Sequence, residues 1–175
     1  MLRRKRVIEF YEIPYSEVYK NKTVSLPIAL QLIIMNNGSL TQNFNSITGK
    51  KIQIHLIKQK TQKNQEIIRQ VWIKENLHKL AFAESYWKKN NIQKNNIINN
   101  KPIGQSIILN EIDVYKEIKS IHYGYSYNLE KKFKVNTPLW SRKYTIWYNK
   151  KPLTIIQEFF SICLSKNSNT NRITN

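Results

Sequence analysis

Residues Pro138 to Ile162 read PLWSRKYTIWYNKKPLTIIQEFFSI, and this stretch decides the fold. Its aromatic and β-branched runs predict two adjacent strands joined by a tight turn at Asn149-Lys150. Counted by twos along the second strand, Thr154, Ile156, Glu158, Phe160 and Ile162 share one face. An acid thus sits in the middle of an apolar stripe. Ile67 to Ile73 carries the opposite anomaly, with Ile67, Arg69, Val71 and Ile73 on one face. A base and an acid each point where a core residue belongs.

Burying one charge alone costs several kcal/mol, so each inward side chain wants a partner. Two readings follow. In one, Arg69 and Glu158 form a structural ion pair or reach the sheet edge with their polar heads. In the other they line a ligand pocket, where Arg69 takes a carboxylate in a two-pronged contact and Glu158 takes a hydroxyl or a proton.

Outward from this stretch, the chain reads as helices, three strands, a helix and three strands. Leu26 to Met35 is a helix with Pro27 in its first turn and Asn36-Asn37-Gly38 as its stop. Ser39 is placed to cap a second helix through Ile47, ended by Gly49. Strands follow at Lys51–Gln59, Ile67–Lys74 and, after a turn at Asn76, Leu80–Trp87. Lys88 to Lys101 is a polar, nearly low-complexity loop. Pro102 opens a short helix, PIGQSIIL, in which Gly104 costs roughly 1 kcal/mol relative to alanine and so points to close packing or ligand approach. Ile112 to Tyr123 is a strand and Tyr127 to Phe133 a helical turn. Short connections favour antiparallel pairing, giving an α+β domain. Residues 1–25 are an N-terminal extension without a clear period, and 165–175 a polar tail, of one domain spanning 1–175.

The chain has 29 Lys and Arg against 11 Asp and Glu, a formal charge of +18. Such a balance admits a nucleic-acid partner. The basic residues are spread along the whole chain, however, and Lys, Asn and Ile are the residues that an AT-rich organelle genome favours. With no recognition motif, nucleic-acid binding ranks last. Either way the field draws in small anions. No run approaches the roughly 18 apolar residues of a membrane span. The basic start at Arg3–Arg6 is not followed by a long apolar segment or a cleavage signal.

Other side chains carry weaker signals. Cys163 stands alone, which argues against a disulfide framework. His55, His78 and His122 lack metal-ligand spacing, so no metal is expected. Gly104 and Gly124 form no phosphate loop. Trp72, Trp87, Trp140 and Trp147 are at positions suited to core and cross-strand packing, with base stacking the rival use.

Arg69-Gln70-Val71, Ala83-Glu84-Ser85, Pro102-Ile103-Gly104, Leu139-Trp140-Ser141-Arg142-Lys143 and Lys151-Pro152-Leu153 through Glu158-Phe159 together resemble the chorismate lyase (chorismate pyruvate-lyase) family, and most closely its plastid-encoded algal branch. The resemblance runs from about Ser39 to Phe160. It implies a six-stranded antiparallel sheet with a buried site under helical flaps, and conversion of chorismate to 4-hydroxybenzoate and pyruvate without a metal or organic cofactor. Together with the organelle-like composition it points to the plastid stroma, and a monomer is expected. The same fold serves as a ligand-sensing domain in some bacterial regulators, so binding of an aromatic carboxylate without turnover is the alternative.

Carried across by position, the family's product-contacting arginine falls on Arg69 and its glutamate on Glu158. A family methionine falls on Leu40, and the leucine of Pro-Leu-Gly on Ile103, both mild hydrophobic changes. Bacterial lyases carry a further active-site arginine in the segment matching Phe82 to Tyr86, where this chain has Glu84. The resemblance therefore implies an anion where a dianionic substrate would meet a cation. Arg142 and Lys143 are the candidates to supply the missing charge.

Overall fold

A computed structural model of the chain describes residues 8–14, 28–63, 65–88, 103–109 and 112–161. Seven strands form one antiparallel sheet: β1 (Ile8–Pro14), β2 (Gln53–Thr61), β3 (Glu66–Glu75), β4 (His78–Lys88), β5 (Tyr115–Ser126), β6 (Leu139–Tyr148) and β7 (Lys151–Ser161). Their order across the sheet is β1-β5-β6-β7-β4-β3-β2. The β6–β7 hairpin thus lies at the centre. Its two-residue turn has positive φ at both Asn149 (48°) and Lys150 (59°), the backbone twist that closes an antiparallel pair tightly.

Four helices accompany the sheet: α1 (Ile28–Met35), α2 (Leu40–Thr48), α3 (Ile103–Leu109) and α4 (Tyr127–Phe133). Gly49 ends α2 in the left-handed conformation (φ 66°), its N–H bonding Asn45 O. Ser39 stands at the N-cap position, but its hydroxyl meets Thr41 Oγ1 at 2.9 Å and makes no cap bond. α1, α2 and α3 lie over one face of the sheet. There Leu30, Ile33, Ile34 and Phe44 pack on Ile73, Ala81, Ile121, Trp140 and Phe160. Ile107 of α3 joins Ile67, Trp87, Tyr144, Ile146 and Ile156 in a second cluster. On the opposite face α4 seals a smaller aromatic core of Trp72, Phe82, Phe133 and Leu139. Among the described residues, no helix is long and apolar enough to cross a membrane.

The sheet has seven strands where six were expected. The extra strand is β1, inside the segment read as an extension, and it pairs with β5 from Ile8↔Ser126 to Pro14↔Ser120. An edge strand held by backbone bonds needs no alternating pattern, and here Tyr11 and Glu12 face solvent. Pro14, which cannot donate to a ladder, ends it. The polar loop beyond Lys88, Pro102, Cys163 and the C-terminal tail lie outside the described residues.

Candidate functional site

The site begins with a size pattern on β4. Ala81, Ala83 and Ser85 point to the helix-covered face, opposite Ile73, Val71 and Arg69 of β3 and Phe160, Glu158 and Ile156 of β7. Small side chains flanked by large ones leave a hollow in the sheet's face. α1 ends short of it, and the turn from Asn37 through Leu40 passes over it, with Ile103, Gly104 and Ile107 of α3 beside that turn. The result is a cavity of about 330 Å³, at the lower end of small-molecule pockets (roughly 300–1,000 Å³). Its walls are mainly apolar.

Gly104 fits this closure. A Cβ at that position would come within 3.2 Å of Ser39 Oγ. The glycine lets α3 approach the Ser39 turn, which accounts for a helix-weakening residue at that position.

Arg69, Glu158, Leu40 and Ile103 all border this cavity. Arg69 is 7% exposed and Glu158 3%. They are separated by β4, across Ser85 and Ala83, and the ion-pair partner of Glu158 is a different residue. Arg142, directly opposite on β6, donates from Nε to Glu158 Oε2 at 2.6 Å. Tyr144 OH donates to Glu158 Oε1 at 2.8 Å. Arg142 is fully buried, and its Nη1 donates to the carbonyl oxygens of Ile33 (2.6 Å), Ile34 (3.1 Å) and Asn36 (3.0 Å). These lie at the C-terminal end of α1, where carbonyls lack helical partners and favour a cation. One guanidinium thereby ties the site acid to the turn above it.

Electrostatics follow from burial. Tyr144 is driven well above the ordinary phenol range by burial and by the Glu158 charge, which keeps it a donor. Burial pulls Arg69 below the usual arginine value, yet a guanidinium stays charged in a protein. Lys116 of β5 also borders the cavity. Its Nζ lies 4.1 Å from the centre of the Tyr144 ring and bonds Asn36 O at 3.4 Å. Burial first, then the Arg142 charge, bring it down to about 8, with Glu158 opposing. Two cations, Arg69 and Lys116, therefore border the cavity beside a carboxylate that Arg142 already pairs, an arrangement suited to an anionic ligand.

The position of Glu84 is a correction. In the pleat Ala83 and Ser85 face the cavity, so Glu84 points to the other side, opposite Gln70 and Gln157. Gln70 Nε2 and Tyr86 OH both donate to its carboxylate. It enters an open cleft with Lys58, Lys60 and Lys63, and adds no anion to the cavity. Of the two residues expected to supply charge, Arg142 is buried against Glu158 and the end of α1, behind the cavity wall, and Lys143 is exposed on the far face. The stacking platform a nucleic acid would use is also lacking among the tryptophans: Trp72, Trp87 and Trp140 are buried, and Trp147 donates to Glu117.

The family model described as Chorismate pyruvate-lyase Rv2949c-like matches residues 34–168. The chain belongs to that family. The match takes in every described element that borders the cavity. The chain is 44% identical over 158 residues to the protein ycf21 of Antithamnion sp., covering 86% of this chain and 87% of that one. It is 34% identical over 153 residues to ycf21 of Porphyra purpurea, covering 83% and 87%. Among solved structures, PhnF from Mycobacterium smegmatis aligns with TM-score 0.55 at 7% identity, over 72% of this chain and 64% of that one. The effector domain of PhnF aligns with TM-score 0.53 at 8% identity, over 70% and 88%. At such identities these structures share the chorismate lyase-like fold with this family member.

Proposed function

We propose that the protein binds a small aromatic or cyclohexadiene carboxylate in this cavity and converts chorismate to 4-hydroxybenzoate and pyruvate. The observation that carries the proposal is that Arg69 and Glu158 border one largely apolar cavity in a chain of the chorismate pyruvate-lyase family. Arg69 anchors a carboxylate through its planar fork. Glu158, held as an acceptor by Arg142 and Tyr144, takes the ring hydroxyl through a remaining lone pair. Leu40 and Ile103 press on the ring from the helical side.

The chemistry needs no electron acceptor. The bond from ring carbon 3 to the enolpyruvyl oxygen breaks, the carbon-4 proton is lost, and the ring electrons close the aromatic system. The departing enolate takes up a proton to become pyruvate. The protein contributes by holding the enolpyruvyl arm in a reactive pose and by stabilising charge on the leaving oxygen. The relatives carry the ycf name of algal plastid genes, and on that ground we assign the protein to the plastid stroma.

A second reading is binding without turnover. It is favoured by the hydrogen bonds that Arg142 and Tyr144 donate to the two oxygens of Glu158, which hold the carboxylate in place as an acceptor. Likeness in fold to a possible transcriptional regulator, YydK from Bacillus subtilis (TM-score 0.52, 11% identity), fits it too. Folded protein mixed with chorismate releases 4-hydroxybenzoate under the first reading. Calorimetric binding of 4-hydroxybenzoate without turnover selects the second, and no binding removes both.

A further inference from the structure

The cavity has a cation at each flank. Glu158 on β7 is central, Arg69 on β3 is two strands to one side, and Lys116 on β5 is two strands to the other. At roughly 4.8 Å per strand, the backbones carrying Arg69 and Lys116 are on the order of 19 Å apart along the sheet. Both side chains nevertheless border the same cavity, reaching it from opposite ends. Lys116 has three N–H donors, and one long contact to Asn36 O leaves donors for a ligand. A β-bulge in β5 between Ile118 and Ser120 aims it there. Lys116 pairs with Ile146 and Ile118 with Tyr144 on one side of the bulge, while Ile121 pairs with Arg142 on the other. The extra residue puts even-numbered Lys116 on the same face as odd-numbered Ile121.

We propose that Lys116 forms a second carboxylate subsite, so that the cavity prefers a ligand with two carboxylates over one with a single carboxylate, and does so only while the lysine is charged. This rests on the proposed reading of the cavity as an aromatic-carboxylate site and assigns its second anionic group. Among the described residues, the charged and titratable groups facing Lys116 are Arg142 and Tyr144 of β6 and Glu158 of β7. The 36–42 turn offers it a carbonyl, and neither that turn nor the described side chains of α3 carry a titratable group. With the ammonium titrating at about 8, the preference is full near pH 7 and gone well above 9.

The test compares 4-hydroxybenzoate with 3-(carboxymethoxy)-4-hydroxybenzoate, an aromatic probe with a second carboxylate on an ether arm, by calorimetry on the full chain. At pH 7 the dicarboxylate binds about tenfold more tightly, the worth of one charge-assisted contact. The preference fades between pH 7 and 9.5. In Lys116→Met it is absent at every pH, while Lys116→Arg keeps it and removes its pH dependence. Equal affinity for both probes in the folded wild type, or a preference unchanged in Lys116→Met, overturns the Lys116 subsite and leaves the Arg69 site standing. Failure of both probes to bind the wild type overturns the aromatic-carboxylate reading itself, and this inference with it. Circular dichroism of each variant separates loss of fold from loss of preference.

Discussion

Arg142 and Glu158 face each other directly across β6 and β7, with Nε 2.6 Å from Oε2 and both side chains almost wholly buried. The pair joins the acid at the cavity wall to the helix above it. It fixes the rotamer of the acid that borders the cavity, and through Nη1 it fixes the end of α1 that leads into the cavity's roof. Removing one partner of a buried pair leaves an uncompensated charge, at a cost of about 3–5 kcal/mol. Arg142→Met is therefore expected to lower unfolding free energy in urea by that amount. Arg142→Met with Glu158→Gln, which leaves an acceptor for Tyr144, recovers part of it. Additive losses in the two single variants and the double would contradict the coupling.

Arg69 is assigned the ligand's ring carboxylate. Arg69→Met is expected to weaken 4-hydroxybenzoate binding about 10- to 100-fold, from the loss of one charge-assisted two-pronged contact. Arg69→Lys recovers only part, since a point charge does not reproduce the fork. Calorimetric affinities within twofold of wild type would remove Arg69 from the site.

Glu84 lies on the far face, engaged by Gln70 and Tyr86. Glu84→Gln is thus expected to change 4-hydroxybenzoate affinity by less than about twofold, the range of a remote charge screened by solvent. Its effect should appear on Tyr86 instead. That phenol is pushed up to about 12 by burial first and then by Glu84, so the variant lowers its ionisation pH in an ultraviolet titration. A large change in ligand affinity would return Glu84 to the cavity.

Much of this was legible because it follows a period of two. The inward positions of Arg69 and Glu158, the Asn149-Lys150 turn, and the α2 stop at Gly49 all follow from alternation and turn chemistry. Glu84 was misplaced by the same rule left unapplied: if Arg69 and Glu158 face in, their β4 partners Ser85 and Ala83 do too, and Glu84 cannot. Lys116 was hidden for the opposite reason. Strict alternation back from Ile121 assigns it to solvent, and only the bulge at Lys119 turns it inward. Which base pairs with Glu158 depends on the β6–β7 register, which sets Arg142 directly opposite it while Arg69 lies two strands away. β1 lacked any signal because an edge strand is held by its backbone.

Lys116 also makes a stability prediction with a definite sign. Its ammonium titrates at about 8 in the folded protein against 10.5 in an ordinary lysine. Below pH 8 both states carry the proton, and the folded state bears the full burial cost. Between about 8 and 10.5 the unfolded chain binds more protons, so folded stability rises with pH through that window. Lys116→Met is expected to be more stable than wild type at pH 7, by ~1 kcal/mol once solvent screening of a half-buried group is allowed for. The advantage shrinks from pH 8 towards 10.5. Urea unfolding at four pH values checks this, and a constant difference across the series would argue that the lysine's charge is not penalised.

Gly104 tests how tightly the roof is closed. Alanine there gains roughly 1 kcal/mol of helix propensity, but its Cβ meets Ser39 Oγ at 3.2 Å, closer than ordinary van der Waals contact. The two effects oppose in stability, so the net change is small. Ligand binding has no such offset. Pushing α3 away from the Ser39 turn moves Ile103 and Leu40, which border the cavity from those two elements. Gly104→Ala is expected to weaken 4-hydroxybenzoate binding about 3- to 10-fold, a shift of up to roughly 1.4 kcal/mol, with unfolding free energy within about 1 kcal/mol of wild type. Adding Ser39→Ala removes the oxygen the new methyl would strike, and restores affinity. Binding that is unchanged in Gly104→Ala, or lost equally with and without Ser39→Ala, would show that the approach of α3 to the turn does not set the cavity's shape.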